Sequence, residues 1–149
     1  MEVKNSMLLC FPSLSQNERF ARQAVAAFAL QVGDWTLVEL DEIMTAVSEA
    51  VTNAIIHAYE HGVGEVRIRA RILEGNGLEI IVEDDGIGIE DVAQAMEPMF
   101  TTKADQERTG MGFSFMESFM HELSVTSKPN QGTSVRMVKW LAAQSDTQE

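Results

Sequence analysis

The sequence predicts an α+β fold, a two-layer sandwich in which helices cover one face of a mixed, largely antiparallel sheet. Three features predict it. Runs in which apolar and polar residues alternate, as in half-buried strands, occur in two pairs, each joined by a short turn containing Gly and Asn. Two longer segments repeat apolar residues at helical spacing. The order strand, two helices, hairpin, loop, helix, hairpin suits antiparallel pairing with the helices packed on one side.

The N-terminal part is predicted to form one strand and two helices. Alternation predicts a short strand over Met7–Phe11. Ser15 is expected to cap a helix running from about Gln16 to Gln31, because Glu18 three residues later would complete a capping box. A longer helix is expected from about Val38 to His61, where a glycine follows.

One face of the second helix is expected to lie in the core. Glu49 and Asn53 are neighbours at i, i+4 on the opposite side, in a row with Glu42 and Ala46. Asn53 needs an explanation, because Asn competes for backbone hydrogen bonds and disfavours a helix interior. Two oxygen donors one turn apart could hold a water and a divalent cation, although a solvated Glu49 stays an alternative. The expected core stripe is Leu40, Ile43, Met44, Val47, Val51, Ala54 and Ala58.

The C-terminal part is predicted to add two hairpins and a helix. Arginines at 67, 69 and 71 on one strand are expected to pair with glutamates at 79 and 83 on its neighbour, across the solvent face. The predicted elements, in order, are strands Val66–Ile72 and Leu78–Asp84, a short helical piece Glu90–Met96, a loop Pro98–Gly110, a helix Gly112–His121, and strands Ser124–Ser127 and Thr133–Trp140.

Length and composition favour one domain over residues 1–141, followed by a polar tail over residues 142–149. No apolar stretch approaches the ~20 residues needed to cross a bilayer. The single cysteine, Cys10, lies in an apolar run and is expected to be a buried thiol, which points to the cytoplasm. The formal net charge of −12 disfavours nucleic acid and anionic membranes, which would repel the protein, so proteins and small molecules are the expected partners.

Asp84 breaks the pattern of its strand. It falls in phase with the apolar residues Leu78, Ile80 and Val82, so alternation points it into the layer between sheet and helices. A carboxylate there needs a donor partner. Gly86 and Gly88 follow at once, and glycines would let the backbone turn tightly and approach a ligand closely.

A second glycine pair opens the last helix. The run Gly110-Met111-Gly112-Phe113 would present free backbone N–H groups, which suit a phosphate. The loop before it carries Lys103 and Arg108, two of only eleven basic residues in an acidic chain. Together with Asn53 and Asp84, these features predict a nucleotide site. Asp84 would hold the base, the glycine turn and the basic loop the phosphates, and Asn53 a Mg²⁺ ion.

These motifs, in this order, resemble the Bergerat-fold ATP-binding family shared by gyrase, the Hsp90 chaperone, histidine kinases and MutL. The first motif looks like the family's N box, Glu49-x-x-x-Asn53, and is followed by two glycine boxes, Asp84-x-Gly86-x-Gly88 and Gly110-x-Gly112-Phe113. Thr133, after Gly132, resembles the family's later Gly-Thr pair, in which the threonine contributes to the adenine pocket. The resemblance implies ATP or ADP and Mg²⁺ as ligands.

Within that family the chain resembles the anti-sigma F factors of sporulation, small serine kinases. The matching stretches are LSQNERFAR (14–22), VSEAVTNAIIHAYE (47–60), PMFTTK (98–103) and ERTGMGFSFMESFM (107–120). The resemblance implies a homodimer that sequesters a sigma factor of the sigma F type. It also implies a kinase that uses Mg-ATP to phosphorylate a serine of a STAS-domain anti-anti-sigma factor.

The same resemblance implies individual roles. Glu49 would be the general base, Asn53 would hold the Mg²⁺, and Lys103 and Arg108 would offset charge on the transferred phosphoryl group. The segment 98–109 would close over the nucleotide as a lid. The remaining implied roles are nucleotide binding by Thr101, Thr102, Lys103, Gly110 and Met111, and partner binding by Arg22.

Three alternatives stay open. A stress-response anti-sigma kinase would share the fold and the glycine boxes. A detached ATPase module of a histidine kinase is disfavoured, because no helical hairpin with a phosphoacceptor histidine precedes the N box. A module that binds its sigma factor in a nucleotide-dependent way, without phosphotransfer, is opposed only by Glu49.

Overall fold

The computed structural model of the chain describes residues 2–97 and 112–142. Five strands form one sheet in the order β1-β2-β3-β5-β4. The strands are β1 (Val3–Pro12), β2 (Glu65–Leu73), β3 (Gly77–Asp84), β4 (Glu122–Ser127) and β5 (Thr133–Trp140). The helices are α1 (Asn17–Ala29), α2 (Leu37–Asn53), a π-helix that continues α2 (Ala54–Ala58), α3 (Val92–Ala95) and α4 (Gly112–Phe119).

The α+β fold class is confirmed, with helices packed against a sheet. All four pairs of neighbouring strands among the described residues are antiparallel, so the sheet is more regular than the mixed one predicted. Both predicted hairpins are present, β2 with β3 and β4 with β5. The predicted short helical piece Glu90–Met96 is present as α3, Val92–Ala95, and the predicted loop Pro98–Gly110 lies outside the described residues.

The core fills the space between the sheet and the helices. Alternate residues of β2, β3 and β5 point into it and meet the buried faces of α1, α2 and α4. Burying one such aliphatic side chain contributes about 1.5–3 kcal/mol. The largest fully buried side chains are Val25, Ile43, Val47, Val51, Val66, Ile68, Leu78, Ile80, Met116, Met137 and Val138.

The start of α1 differs from the prediction. Its N-cap residue is Gln16, and no side chain caps the helix, so the capping box predicted at Ser15 is wrong. The chain enters α1 through backbone turns, with the N–H of Glu18 bonded to the Ser15 carbonyl, and Gln16 already has helical dihedrals. The capping box belongs to α2 instead. The Thr36 hydroxyl accepts the Glu39 N–H at 3.0 Å, and the Glu39 carboxylate accepts the Thr36 N–H at 2.9 Å.

The second helix is not one regular α-helix as predicted. Its α-helical part ends at Asn53, and the next five residues form a π-helix. The core face is also displaced from the predicted stripe, because Ala46, predicted on the polar row, is fully buried. Leu40 and Met44, predicted in the core stripe, are only half-buried.

Strand β1 is longer than predicted, and Cys10 is exposed, so the prediction of a buried thiol is wrong. The reason is strand alternation at the edge of the sheet. Phe11 is buried and Leu9 packs against the core, which leaves Leu8 and Cys10 on the opposite face. An apolar run in a one-sided strand therefore does not imply burial of every member.

The outer face of the sheet carries the predicted ladder of charges. Arg69 Nε lies 2.9 Å from Glu83 Oε1, and Arg71 and Arg136 both bond the carboxylate of Glu79. The cross-strand pairing of arginines with glutamates is thus confirmed. Arg67 adds a bidentate bond to Asp85, at 2.8 and 2.9 Å.

Helix α4 is held at its C-terminal end by a buried lysine. Lys139 of β5 is 5% exposed, and its ammonium bonds the carbonyl oxygen of Phe119, the last residue of α4. The same ammonium lies 3.2 Å from the carboxylate of Glu42 on α2. This three-way contact fixes α4 against α2 and the sheet. No helix in the described part of the chain is long and apolar enough to span a bilayer.

Candidate functional site

A cavity of about 940 Å³ lies between the end of α2, the adjoining ends of β3 and β5, and helices α3 and α4. Its size is that of a small-molecule site. Six residues predicted from sequence line it, namely Asn53, Asp84, Gly88, Gly112, Phe113 and Thr133. Residues far apart in the chain therefore meet in one place.

Asp84 is the last residue of β3 and points inward as alternation predicted. It is 8% exposed, and its Oδ1 accepts the N–H of Gly86 at 2.9 Å. Burial raises the pKa of this carboxyl, against the opposing effect of that hydrogen bond. Asp84 is thus an acceptor group set at an apolar wall of the cavity that includes Val82 and Val135.

Thr133 is the register partner of Asp84 on β5, and Ser127 is the register partner of Thr133 on β4. The hydroxyl oxygens of Ser127 and Thr133 are 2.9 Å apart. Sequence reasoning did not single out Ser127. Its phase with Leu123 and Val125, which pack against the core, would have placed it on the inner face.

The two glycines after Asp84 are required by close packing within the protein. A Cβ at Gly86 would lie 2.2 Å from the carbonyl oxygen of Ala58, and one at Gly88 would lie 2.1 Å from that of Lys128. Gly88 also has a φ of +77°, which disfavours a side chain. Gly88 lines the cavity, whereas Gly86 does not, so its glycine is explained by the end of the π-helix rather than by close approach to a ligand.

The N box is split between the cavity and its surroundings. Asn53, half-buried at the end of α2, lines the cavity, but Glu49, one turn earlier and also half-buried, is not among the lining residues. Within residues 2–97 and 112–142, no group of three or more His, Cys, Asp or Glu side chains could hold a metal ion. A divalent cation at Asn53 would therefore depend on oxygens of a bound ligand.

Gly112 and Phe113 begin α4 and line the cavity, so the N-terminus of that helix faces it. Helix N-termini favour anions. The other predicted residues of this region, Thr101, Thr102, Lys103, Arg108, Gly110 and Met111, lie outside the described residues. Arg22 lies on α1, away from the cavity lining, and its Nε is 3.1 Å from the Glu18 carboxylate.

The ionisable side chains among the described lining residues are mostly acidic. They comprise the carboxyl groups of Glu60, Asp84, Glu90 and Asp91 and the imidazole of His57, with no lysine or arginine among those described. A polyanionic ligand would be repelled unless a metal ion or basic residues of the segment 98–111 offset that charge. The electrostatics thus agree with a site that binds an anion together with a cation.

Tyr59 is a second residue that sequence reasoning missed. It follows the π-helix directly, and its hydroxyl accepts the N–H of Asp85 and donates to the carbonyl of Glu65, both at 2.7 Å. It therefore connects the end of the N-box helix with the start of β2 and with the residue after Asp84. Nothing in its local sequence pattern indicates this role.

The chain matches the family of histidine kinase-like ATPase domains over residues 11–139. Among solved structures, the RsbU and RsbW domains of a Mycobacterium tuberculosis protein superpose with a TM-score of 0.69 at 17% identity, covering 95% of this chain and 34% of that one. The histidine kinase domain of a blue-light activated kinase of Erythrobacter litoralis gives 0.58 at 24% identity, covering 80% of this chain and 59% of that one. Both agree with the fold described above.

Relatives of known name are similar over nearly their whole length. An anti-sigma F factor of Caldanaerobacter subterraneus subsp. tengcongensis is 57% identical over 95% of this chain and 97% of its own. Anti-sigma F factors of Anoxybacillus flavithermus and Bacillus licheniformis are 52% and 50% identical, over 93% and 94% of this chain and 94% and 95% of their own.

Proposed function

The chain belongs to the anti-sigma F factors, within the histidine kinase-like ATPase domains, and from that premise we propose how it acts. It binds a sigma factor of the sigma F type and keeps it from RNA polymerase. As an ATP-dependent serine kinase, it also phosphorylates and inactivates a STAS-domain anti-anti-sigma factor. It does so as a cytoplasmic homodimer.

One observation carries the nucleotide part of this proposal. Asn53, Asp84, Gly112 and Thr133 come from four elements of the chain and line one cavity of about 940 Å³. Asp84 provides an acceptor for the exocyclic amino group of adenine, against apolar walls. The N-terminus of α4 faces the same cavity and suits the phosphates.

Asn53 supports a role for Mg²⁺, because an amide oxygen and phosphate oxygens are ligands that this ion accepts. When bound, Mg²⁺ offsets the negative charge of the phosphates. Asn53 would be the residue of this chain that holds the ion. Lys103 and Arg108 are proposed to add positive charge from the lid segment, a need that follows from the carboxylates of the cavity.

Glu49 is proposed as the general base that takes the proton from the attacking serine hydroxyl. It lies one turn before Asn53 on the same helix, beside the cavity rather than in its lining. This position suits a group that meets a serine brought by a protein partner from outside. Such general-base assistance is typically worth about 10²–10⁴-fold in rate.

Helix α1 is proposed to meet the protein partners. It carries Arg22, paired with Glu18, and Phe20, whose side chain is 54% exposed. Arginine and aromatic side chains are both enriched at interface hot spots. Neither residue lines the nucleotide cavity, so partner and nucleotide can be bound together.

The test is a phosphotransfer assay with labelled Mg-ATP and the STAS-domain protein encoded in the same genome. We expect label on a serine of that protein and its loss with Glu49→Gln, which keeps the shape of the side chain. Asp41→Asn, an exposed carboxylate on the same helix, is the matched control and should transfer phosphate normally. Transfer by Glu49→Gln at the wild-type rate would contradict the base assignment.

A second candidate is nucleotide-dependent sequestration without phosphotransfer. The observation that favours it is that the predicted residues that do line the cavity, among them Asn53, Asp84 and Thr133, would serve nucleotide binding alone. It predicts that the amount of sigma factor retained in a pull-down differs between ATP and ADP, while no label appears on the STAS-domain protein.

A further inference from the structure

Two hydroxyl groups, those of Thr133 and Ser127, follow Asp84 across the sheet at the end of the cavity that is proposed to hold the base. Ser127, Thr133 and Asp84 are register partners across β4, β5 and β3. Of the three, Thr133 and Asp84 line the cavity and Ser127 does not. The Ser127 Oγ is nevertheless in contact with three groups, the Thr133 Oγ1 at 2.9 Å, the Gly132 carbonyl oxygen at 3.0 Å and the Ile89 N–H at 2.7 Å.

The number of protons restricts how these contacts are made. The Ile89 N–H is a donor, so Ser127 accepts from it, and the single Ser127 hydroxyl proton is left for one of two acceptors. If that proton goes to Gly132, Thr133 must donate to Ser127, and Thr133 then offers the cavity only a lone pair. If it goes to Thr133, the Thr133 proton is free to point into the cavity as a donor.

We propose that Ser127 is a positioning residue that holds Thr133 as a hydrogen-bond donor toward the base, and so helps to select adenine. The inference rests on the proposed nucleotide site. Adenine presents an amino donor beside a ring-nitrogen acceptor, N1, on its Watson–Crick edge. Because ionised Asp84 can only accept, it takes the amino group, and the adjacent hydroxyl has to donate.

The structure supplies what is needed for Ser127 to donate its proton to Thr133 rather than to Gly132. The Gly132 carbonyl oxygen lies 3.4 Å from the Lys128 N–H, so it keeps a donor within reach when Ser127 turns away. The Ile89 N–H anchors Ser127 in place and ties it to the loop after Asp84. A water between Thr133 and the base would have the same effect, because a water that accepts the Thr133 proton can donate one of its own protons to N1 of the base.

The test compares three nucleotides by calorimetry, with wild type and Ser127→Ala. ATP offers both groups, 1-deaza-ATP lacks the N1 acceptor, and purine riboside triphosphate lacks the amino group but keeps N1. For Ser127→Ala we expect ATP affinity to fall about five- to tenfold, as for one lost hydrogen bond. The affinity for 1-deaza-ATP should change far less, so the ratio of the ATP affinity to the 1-deaza-ATP affinity should fall. Ser127→Thr, which keeps a hydroxyl, should restore the wild-type ratio.

A purely structural role for Ser127 predicts another pattern. Loosening of the loop at Ile89 would weaken the binding of all three nucleotides in parallel. The ratio of the ATP affinity to the 1-deaza-ATP affinity would then stay unchanged, which would overturn the inference. Ser124→Ala, an exposed serine on the other face of β4, is the matched control and should change neither quantity. Failure of wild type to bind any of the three would instead overturn the nucleotide site itself.

Discussion

The hydroxyl of Tyr59 accepts the backbone N–H of Asp85 at 2.7 Å, one residue beyond the buried Asp84. The same hydroxyl donates to the carbonyl of Glu65 at 2.7 Å, at the start of β2. Desolvation by burial raises the pKa of Tyr59, so the group stays protonated and able to donate at neutral pH. One side chain thus joins the π-helix to the strand end that carries Asp84.

Tyr59→Phe tests this connection. The ring packing is kept and two hydrogen bonds are lost, each worth about 0.5–1.5 kcal/mol. We expect a fall of about 1–2 kcal/mol in the free energy of unfolding in urea, together with an ATP affinity weakened several-fold because Asp84 is less well held. Unchanged affinity beside reduced stability would show that Tyr59 serves the fold alone.

Glu79 provides a stability prediction away from the cavity. Its side chain is 3% exposed on the outer face of the sheet, between Arg71 and Arg136. Burial alone would raise the pKa of Glu79, but the hydrogen bonds from the two arginines lower it below its ordinary value of 4.5. A lowered pKa means that its contribution to stability is present above that ordinary value and is lost as the pH falls through the folded-state pKa.

Glu79→Gln should therefore reduce the free energy of unfolding at pH 7, by about 1–2 kcal/mol once the exposure of the arginines is allowed for. The difference from wild type should narrow as the pH is lowered below 4.5. Urea titrations at pH 7 and pH 4 measure both. Glu83→Gln, more exposed on the same strand, should lose less, and an equal loss would mean that the burial of Glu79 has no importance.

The start of α2 gives a prediction in which two similar residues should behave differently. Thr36 caps the helix through its hydroxyl, whereas Ser15 makes no side-chain cap at α1. Thr36→Ala should lower the free energy of unfolding by about 1 kcal/mol, and Ser15→Ala should leave it nearly unchanged. Thermal and urea unfolding of the two variants provide the comparison, and equal losses would contradict the assignment of the caps.

The contrast between Ser15 and Thr36 shows what the sequence could predict about the fold. Both residues stand three positions before a glutamate, so the capping pattern alone does not separate them. The dihedrals of the cap residue separate them. Thr36 is extended with a ψ of 162°, whereas Gln16 at the start of α1 is helical. Those dihedrals depend on how the preceding chain packs, which is tertiary information.

The inward side chains were predictable because strand alternation is a strict rule. Asp84 and Thr133 could be placed from their phase with buried apolar neighbours, and both line the cavity. Phase would also have placed Ser127 on the inner face, but its contact with Thr133 depends on the register between β4 and β5, which local periodicity does not encode. The role of Tyr59 likewise depends on the position of Asp85. The π-helix after Asn53 is also not encoded in the helical spacing of the apolar residues.

Asp84 is expected to reduce the stability of the free protein while serving the ligand. Burial raises its pKa above the ordinary 3.8, so the folded state holds this proton more tightly than the unfolded chain does. The contribution of Asp84 to stability is then complete below pH 3.8 and is lost as the pH rises through the folded-state pKa. At neutral pH the ionised carboxylate opposes folding.

Asp84→Asn should remove much of that penalty, because the amide oxygen can still accept the Gly86 N–H, although the carboxylate is also hydrogen-bonded by the backbone of Thr133. In the absence of nucleotide we expect a higher melting temperature than wild type at pH 7, by about 2–4 °C for each kcal/mol regained, and no difference at low pH. ATP affinity should fall about 10- to 100-fold, since an amide N–H placed against the adenine amino group replaces a charged acceptor.

Asp85→Asn is the matched control for this prediction, and it should have the opposite effect on stability. The hydrogen bonds from Arg67 lower the pKa of Asp85, so its ionised form supports folding above the ordinary value of 3.8. Its exposed side chain makes that support small. We therefore expect a slightly lower melting temperature and nearly unchanged ATP affinity. If Asp84→Asn behaved as Asp85→Asn does in both measurements, Asp84 would be a surface-like carboxylate, and the base end of the proposed site would have to lie elsewhere in the cavity.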